Sequence, residues 1–182
     1  MSNLFLPPCP TSCSGSVAAV AFDDCAPEWH WGEVSTVYIG PTTIPTFDST
    51  SLNAWNTYLS DSVADKIRTL TTLGDMPEAA STETQMSGDR TSSGTKTFTL
   101  NFQIDETNDT NYAFYQMIEC GGKFKLWFET SDGELYGGND GILVSIKINQ
   151  VIPAERSAPV KIMAVATWKS LHSPARYLSP MY

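Results

Sequence analysis

The residue types best suited to chemistry gather near the start of the chain. Cys9, Cys13, Cys25 and His30 form a C-x3-C-x11-C-x4-H pattern of three thiols and an imidazole. Structural zinc takes four such ligands in a tetrahedron, usually as two close pairs, here Cys9 with Cys13 and Cys25 with His30. The same residues also read as small apolar groups or free thiols in an arm. A third reading is disulfides formed after a particle leaves the cell, and four cysteines allow three complete pairings. Spacing does not choose among zinc, disulfides and free thiols, and no metal ligand is assigned.

Catalysis finds less support. His30 and His172 are the only histidines, and neither lies in a G-x-S-x-G or H-E-x-x-H setting. Asp23-Asp24, Asp105-Glu106 and Asp132 with Glu134 have the composition of a glycosidase acid–base pair. They fall at predicted strand ends and turns, where acids are ordinary. The run Gly137-Gly138-Asn139-Asp140-Gly141 lies between two predicted strands, so it reads as a turn and not as a phosphate cradle at a helix start. Asn108-Asp109-Thr110 matches a glycosylation sequon but reads as helix-cap chemistry. Trp29, Trp31 and Trp127 suit a sugar-stacking platform or, equally, a subunit interface. The expectation is a protein that is not an enzyme, with no catalytic, cofactor or metal residues.

The elements that position these residues are mostly strands. The charged fraction is 17%, and Gly, Ser, Thr, Asn and Pro fill the difference from an average domain, as expected when many turns separate many strands. The formal net charge of −9 argues against duplex binding by phosphate neutralisation. Residues 1–140 hold 19 acids against 6 bases, whereas 141–182 hold one acid, Glu155, against 5 bases. Solvated strand faces would give that pattern, and so would complementary surfaces that meet when copies pack. The apolar run Val17–Phe22 is far short of the ~20 residues a spanning helix needs, and the first ten residues lack a secretory signal, so intracellular synthesis is expected.

Along the chain, the Pro-rich start and cysteine segment, 1–32, reads as an extended arm with a short strand at Val17–Phe22. Val34–Ile39 is a strand stopped by Gly40-Pro41. Leu52, Trp55 and Leu59 share a face, predicting a short helix over 51–60 capped by Ser49, Thr50 or Ser51. Val63–Leu73 is a strand by β-branching. Gly74–Gly94, 21 residues with four acids and one Arg, reads as a long β-hairpin arm with a strand near 81–86, or as a loop ordered by a neighbour.

The clearest periodicity lies in Thr95–Gln150. Phe98, Leu100, Phe102 and Ile104 alternate with polar residues, as in a half-buried strand. A helix over 109–119, capped by Thr107, Asn108 or Asp109, puts Phe114 and Ile118 on one face with Tyr115 and Asn111, ends at Gly121-Gly122 and packs Cys120 near its end. Phe124, Leu126 and Phe128 alternate with outward Lys123, Lys125 and Glu129. Ser131-Asp132-Gly133 turns into a pairing strand 134–136. Ile142, Val144, Ile146 and Ile148 mark another strand. Val160–Trp168 is the last, apolar enough for burial on both faces, and the tail after it is irregular. The fold class is mainly β: an antiparallel β-sandwich or barrel over 33–177 with one flanking helix, a second short helix, extended arms and a tail at 178–182.

This order, with KFKLWFETSDGELYG in the middle and TWKSLHSPARY at the end, resembles virion structural proteins of tailed bacteriophages, in particular tail tube proteins. The likeness covers roughly 65–177. It implies a subunit of stacked, commonly hexameric rings through which genome DNA passes, made in the host bacterial cytoplasm and residing in the virion tail. Its partners would be copies of itself and other tail or connector proteins. Strands near 95–104, 123–129, 142–151 and 160–169 would build an inner sheet and sandwich, and sheets of neighbouring copies would join edge to edge. The helix near 109–119 would cover the outside, and the 74–94 segment and N-terminal arm would reach neighbours. An acidic balance suits a lumen that must not hold DNA. The cysteine segment is not part of the tube pattern and leaves room for a head–tail connector or tail completion ring. A secreted β-sandwich carbohydrate-binding module is the alternative of another class.

Overall fold

The computed structural model describes residues 32–60, 65–86, 90–104, 106–155 and 157–182. The segment expected to be an arm, with the strand expected at 17–22, Asp23-Asp24, Cys9, Cys13, Cys25, His30, Trp29 and Trp31, lies outside the described residues, as does Asp105.

Strict alternation makes the core. Strands β1 (Val34–Pro41), β2 (Arg68–Asp75), β4 (Arg90–Ile104), β8 (Lys161–Ser170), β7 (Ile142–Val151) and β5 (Phe124–Thr130) pair antiparallel in that order. β5 then pairs with β1 through Val34–Pro41, which closes a six-stranded barrel. Phe98, Leu100, Phe102 and Ile104 of β4 point inward at 3% exposure or less. They meet Val144 and Ile146 of β7, Ala164 and Ala166 of β8, and Leu126 and Phe128 of β5. Each large apolar side chain so buried contributes roughly 1.5–3 kcal/mol. The small Ala164 and Ala166 face inward from β8 where their β4 partners, Phe102 and Leu100, are large.

Closure depends on one residue without a Cβ. Gly74 pairs with Val34 of β1 and with Phe102 of β4, so β2 bridges the two strands at that point. A Cβ on Gly74 would lie 2.6 Å from the carbonyl oxygen of Asn101. The ends of the barrel are stopped differently. Helix α2 (Asp109–Glu119) sends Tyr115 and Ile118 into the inner core beside Ile148 and Ile162. Met76 and Ala79 pack on the same core from the segment that follows β2. The likeness to tube proteins implied a helix covering the outside; α2 instead joins the barrel's own interior through two residues one helical turn apart.

A second core sits on the outer face of β1 and β5. Helix α1 (Leu52–Leu59) and the loop before it bring Trp55, Phe47 and Ile44 against Tyr38, Trp127, Leu135 and Ile67. Trp55 is fully buried, but Leu52, expected on the same face, is 47% exposed. They lie three positions apart, and of the two only Trp55 points at the sheet. Ser51 is the N-cap by backbone position, without a side-chain cap bond.

Several strand boundaries shift. The strand expected at 63–73 begins at Arg68 and runs through Asp75, because the stretch before it serves the second core: Ile67 donates its N–H to the Tyr58 carbonyl. The segment 74–94 is a hairpin, with β3 (Ala80–Met86) paired to the first half of β4. β8 is not buried on both faces; Ile162, Ala164, Ala166 and Trp168 face in, and Met163 is 38% exposed. Nor is it the last strand. β9 (Arg176–Leu178) pairs with β6 (Glu134–Tyr136), itself paired to β5. The irregular-looking tail therefore holds a strand, and beyond it Ser179 is buried and Met181 packs on the second core.

Candidate functional site

Most catalytic candidates among the described residues sit in structural hydrogen bonds or ion pairs. The Asn108 side chain accepts from the Asn111 N–H at 2.9 Å, which is the N-cap of α2 and not a free sequon. Asp132 accepts from the Thr130 hydroxyl inside the β5–β6 turn, and Glu134 faces Arg176 of β9 at 3.5 Å. Glu106 is exposed, with its carbonyl accepting from the Tyr115 hydroxyl at 2.9 Å. Burial pushes the Tyr115 hydroxyl pKa above the usual tyrosine range, and the nearby Glu106 charge adds to it. The backbone N–H of His172 donates to the Ser170 hydroxyl at 3.2 Å, at the end of β8. Among the described residues, no group of three or more His, Cys, Asp or Glu is placed to hold a metal, and no helix is long and apolar enough to cross a membrane.

The 137–141 turn has a packing role. Trp127 donates its indole N–H to the Gly138 carbonyl at 2.8 Å, and Gly137 and Gly141 lie flat against its ring. Both have positive φ, +131° and +72°, and a Cβ on Gly141 would lie 2.5 Å from Trp127 Cζ2. The Asn139 side chain then accepts from both the N–H and the hydroxyl of Ser49, and Lys125 pairs with Asp140 at 2.6 Å. The turn thus ties the α1 loop to β5. Trp127, at 0% exposure, is no part of a sugar platform.

Two further readings are corrected. Glu129 does not face solvent: it is 6% exposed, and its carboxylate accepts from the Tyr38 hydroxyl at 2.8 Å. A signal for this was present in Leu126-Trp127-Phe128, since three consecutive apolar residues on a strand mean both faces are covered. Cys120, expected to be packed at the helix end, is an exposed free thiol.

What distinguishes the surface is a large area with no described element over it. α1 and its loop cover β1 and β5, while among the described residues no element lies on the outer face of β4, β8 and β7. The register lines up Leu73, Gln103, Met163 and Asn149 as one row across β2, β4, β8 and β7, and Val165 beside Lys147 in another. Leu73 is 55% exposed and Leu143, further along β7, 53%. β7 and β8 together carry Lys147, Lys161 and Lys169 and no acid. Among the described residues, none of these lysines has an ion-pair or hydrogen-bond partner.

Beside this face runs a ribbon. β4 pairs with β8 only from Lys96 onward, so its stretch from Arg90 has β3 as its partner. A two-stranded ribbon beyond a barrel leaves backbone donors and acceptors along its edges. Among the described residues β9 likewise pairs on one side only, and Leu178 on it is 72% exposed. The barrel itself is closed, so among the described residues the open strand edges belong to the ribbon and to β9. Comparison with protein-family models and with curated proteins finds no match for the chain.

Proposed function

We propose that this chain is a self-assembling structural subunit of a tailed-bacteriophage particle, a tail tube or closely related tail ring protein. Its copies form stacked rings, hexameric as in the proteins it resembles, with genome DNA in transit through them and other tail or connector proteins at their ends. The observation that carries the reading is the β3–β4 ribbon, which continues a core strand past the barrel and has backbone edges for a neighbour to pair. The outer face of β2, β4, β8 and β7, where Leu73, Leu143 and Met163 are exposed, supports it as a surface for repeated contact. On this reading the protein works by closing contacts between copies rather than by chemistry.

Light scattering on a sizing column and negative-stain electron microscopy test the proposal. Rings or tubes of one diameter are expected, and a strictly monomeric protein at high concentration would refute it. Stacks indicate a tube subunit, whereas single rings that never stack indicate a connector or completion ring.

A further inference from the structure

Resting on the self-assembly reading, we infer that α2 of one copy docks on the outer face of β7 and β8 of the next, through acid–lysine contacts around exposed apolar residues. The two surfaces are opposite in charge. β7 and β8 carry Lys147, Lys161 and Lys169 and no acid, whereas α2 carries Asp109 and Glu119 and no base. Among the described residues neither of these acids has a side-chain partner.

The spacing also matches. Asp109, Tyr112, Gln116 and Glu119 are all exposed and recur at i, i+3, i+7 and i+10, one stripe of the helix. The two acids are ten residues apart, about 15 Å along a helix. Val165, the register partner of Lys147, lies four residues from Lys161, so these lysines stand about 14 Å apart at ordinary strand rise and spacing. Between the acids Tyr112 is 47% exposed, and near the lysines Met163 is 38% exposed. Such pairs of apolar centre and charged rim are how specific interfaces are built. Glu119 breaks a local rule that the contact would explain. It lies in the last turn of α2, where the helix dipole disfavours an acid and no base compensates. The contact uses two different patches, so it is head to tail and closes a ring or runs on as a filament.

The test is a charge swap with two variants, Lys147→Glu/Lys161→Glu and Asp109→Lys/Glu119→Lys. Each alone sets like charges against like, so the concentration for half-assembly should rise at least about tenfold, a 1.4 kcal/mol change. Mixed in equal amounts they present complementary patches at every contact, and assembly should return. Circular dichroism and melting confirm that each variant is folded, and Lys147→Gln/Lys161→Gln, with a smaller loss, serves if a charge reversal is not. Native thiol labelling mapped to Cys120, on the same exposed side of α2, should slow on assembly. If either variant assembles like the wild type, or mixing restores nothing, the docking is overturned while the ring reading stands. If the wild-type protein never assembles, the ring reading itself falls.

Discussion

The Tyr38 hydroxyl donates a 2.8 Å hydrogen bond to Oε2 of Glu129, with the two side chains only 5% and 6% exposed. The bond crosses from β1 to β5 on the outer face of the barrel, where those strands close it. A buried carboxylate needs such a donor, because an unsatisfied one would carry its full desolvation cost. Tyr38→Phe should therefore lower stability by roughly 1–3 kcal/mol in urea unfolding. Glu129→Gln retains an acceptor for the hydroxyl and should cost less.

Alkaline pH should act through the same pair. Burial first, then the hydrogen bond and charge of Glu129, holds the Tyr38 pKa above the usual tyrosine value of 10.0. A raised folded pKa means that the unfolded chain gives up its proton first, so stability falls as pH rises. The contribution is intact below about pH 10 and is lost progressively above it. Melting temperatures of the wild type and Tyr38→Phe, measured from pH 7 to 11.5, should converge at the alkaline end.

Gly141→Ala should loosen the second core. Its φ of +72° is strained for any L side chain, and the new Cβ would press on the Trp127 ring. Strain and overpacking each carry about 1–3 kcal/mol. Equilibrium unfolding should report a loss of at least about 2 kcal/mol, with Trp127 emission shifted to longer wavelength.

At Gly74 the obstruction is backbone. A Cβ would lie 2.6 Å from the Asn101 carbonyl oxygen, which no rotamer change can move. Gly74→Val should separate β2 from β4, and hydrogen exchange should quicken at Leu73–Asp75 and Asn101–Gln103 before it does in β7.

Asn108→Ala removes the side-chain acceptor for the Asn111 N–H at the start of α2. A lost N-cap costs about 1 kcal/mol. Thermal unfolding should show that loss, while Asn108→Asp, which retains an acceptor, should stay close to wild type.

The barrel staves were legible in the chain because alternation has one structural consequence. Phe98, Leu100, Phe102 and Ile104 cannot all be buried except on one face of a strand, and the same holds for Val144, Ile146 and Ile148. Asn108 before α2 and Gly121-Gly122 after it likewise act within a few residues of themselves, so the bounds 109–119 could be read directly. The 74–94 segment could be read as a hairpin arm or as a loop ordered by a neighbour, and the pairing of β3 with β4 decides for the hairpin.

Tertiary structure decided what lay across the strands. Sequence order is silent on which strand closes on which, so only the fold makes β1 pair with both β2 and β5 and leaves no barrel edge. An outward strand position also does not say whether water or a second layer waits there. Trp127 and Glu129 looked outward; α1 and its loop arrive from some 70 to 90 positions earlier to bury Trp127, and Tyr38, 91 positions earlier, meets Glu129. Lys147 and Lys161 look outward in the same way, and there the described residues bring no second layer. Local pattern sets which residues share a face, but burial of that face is a property of distant segments, and only the folded chain assembles them.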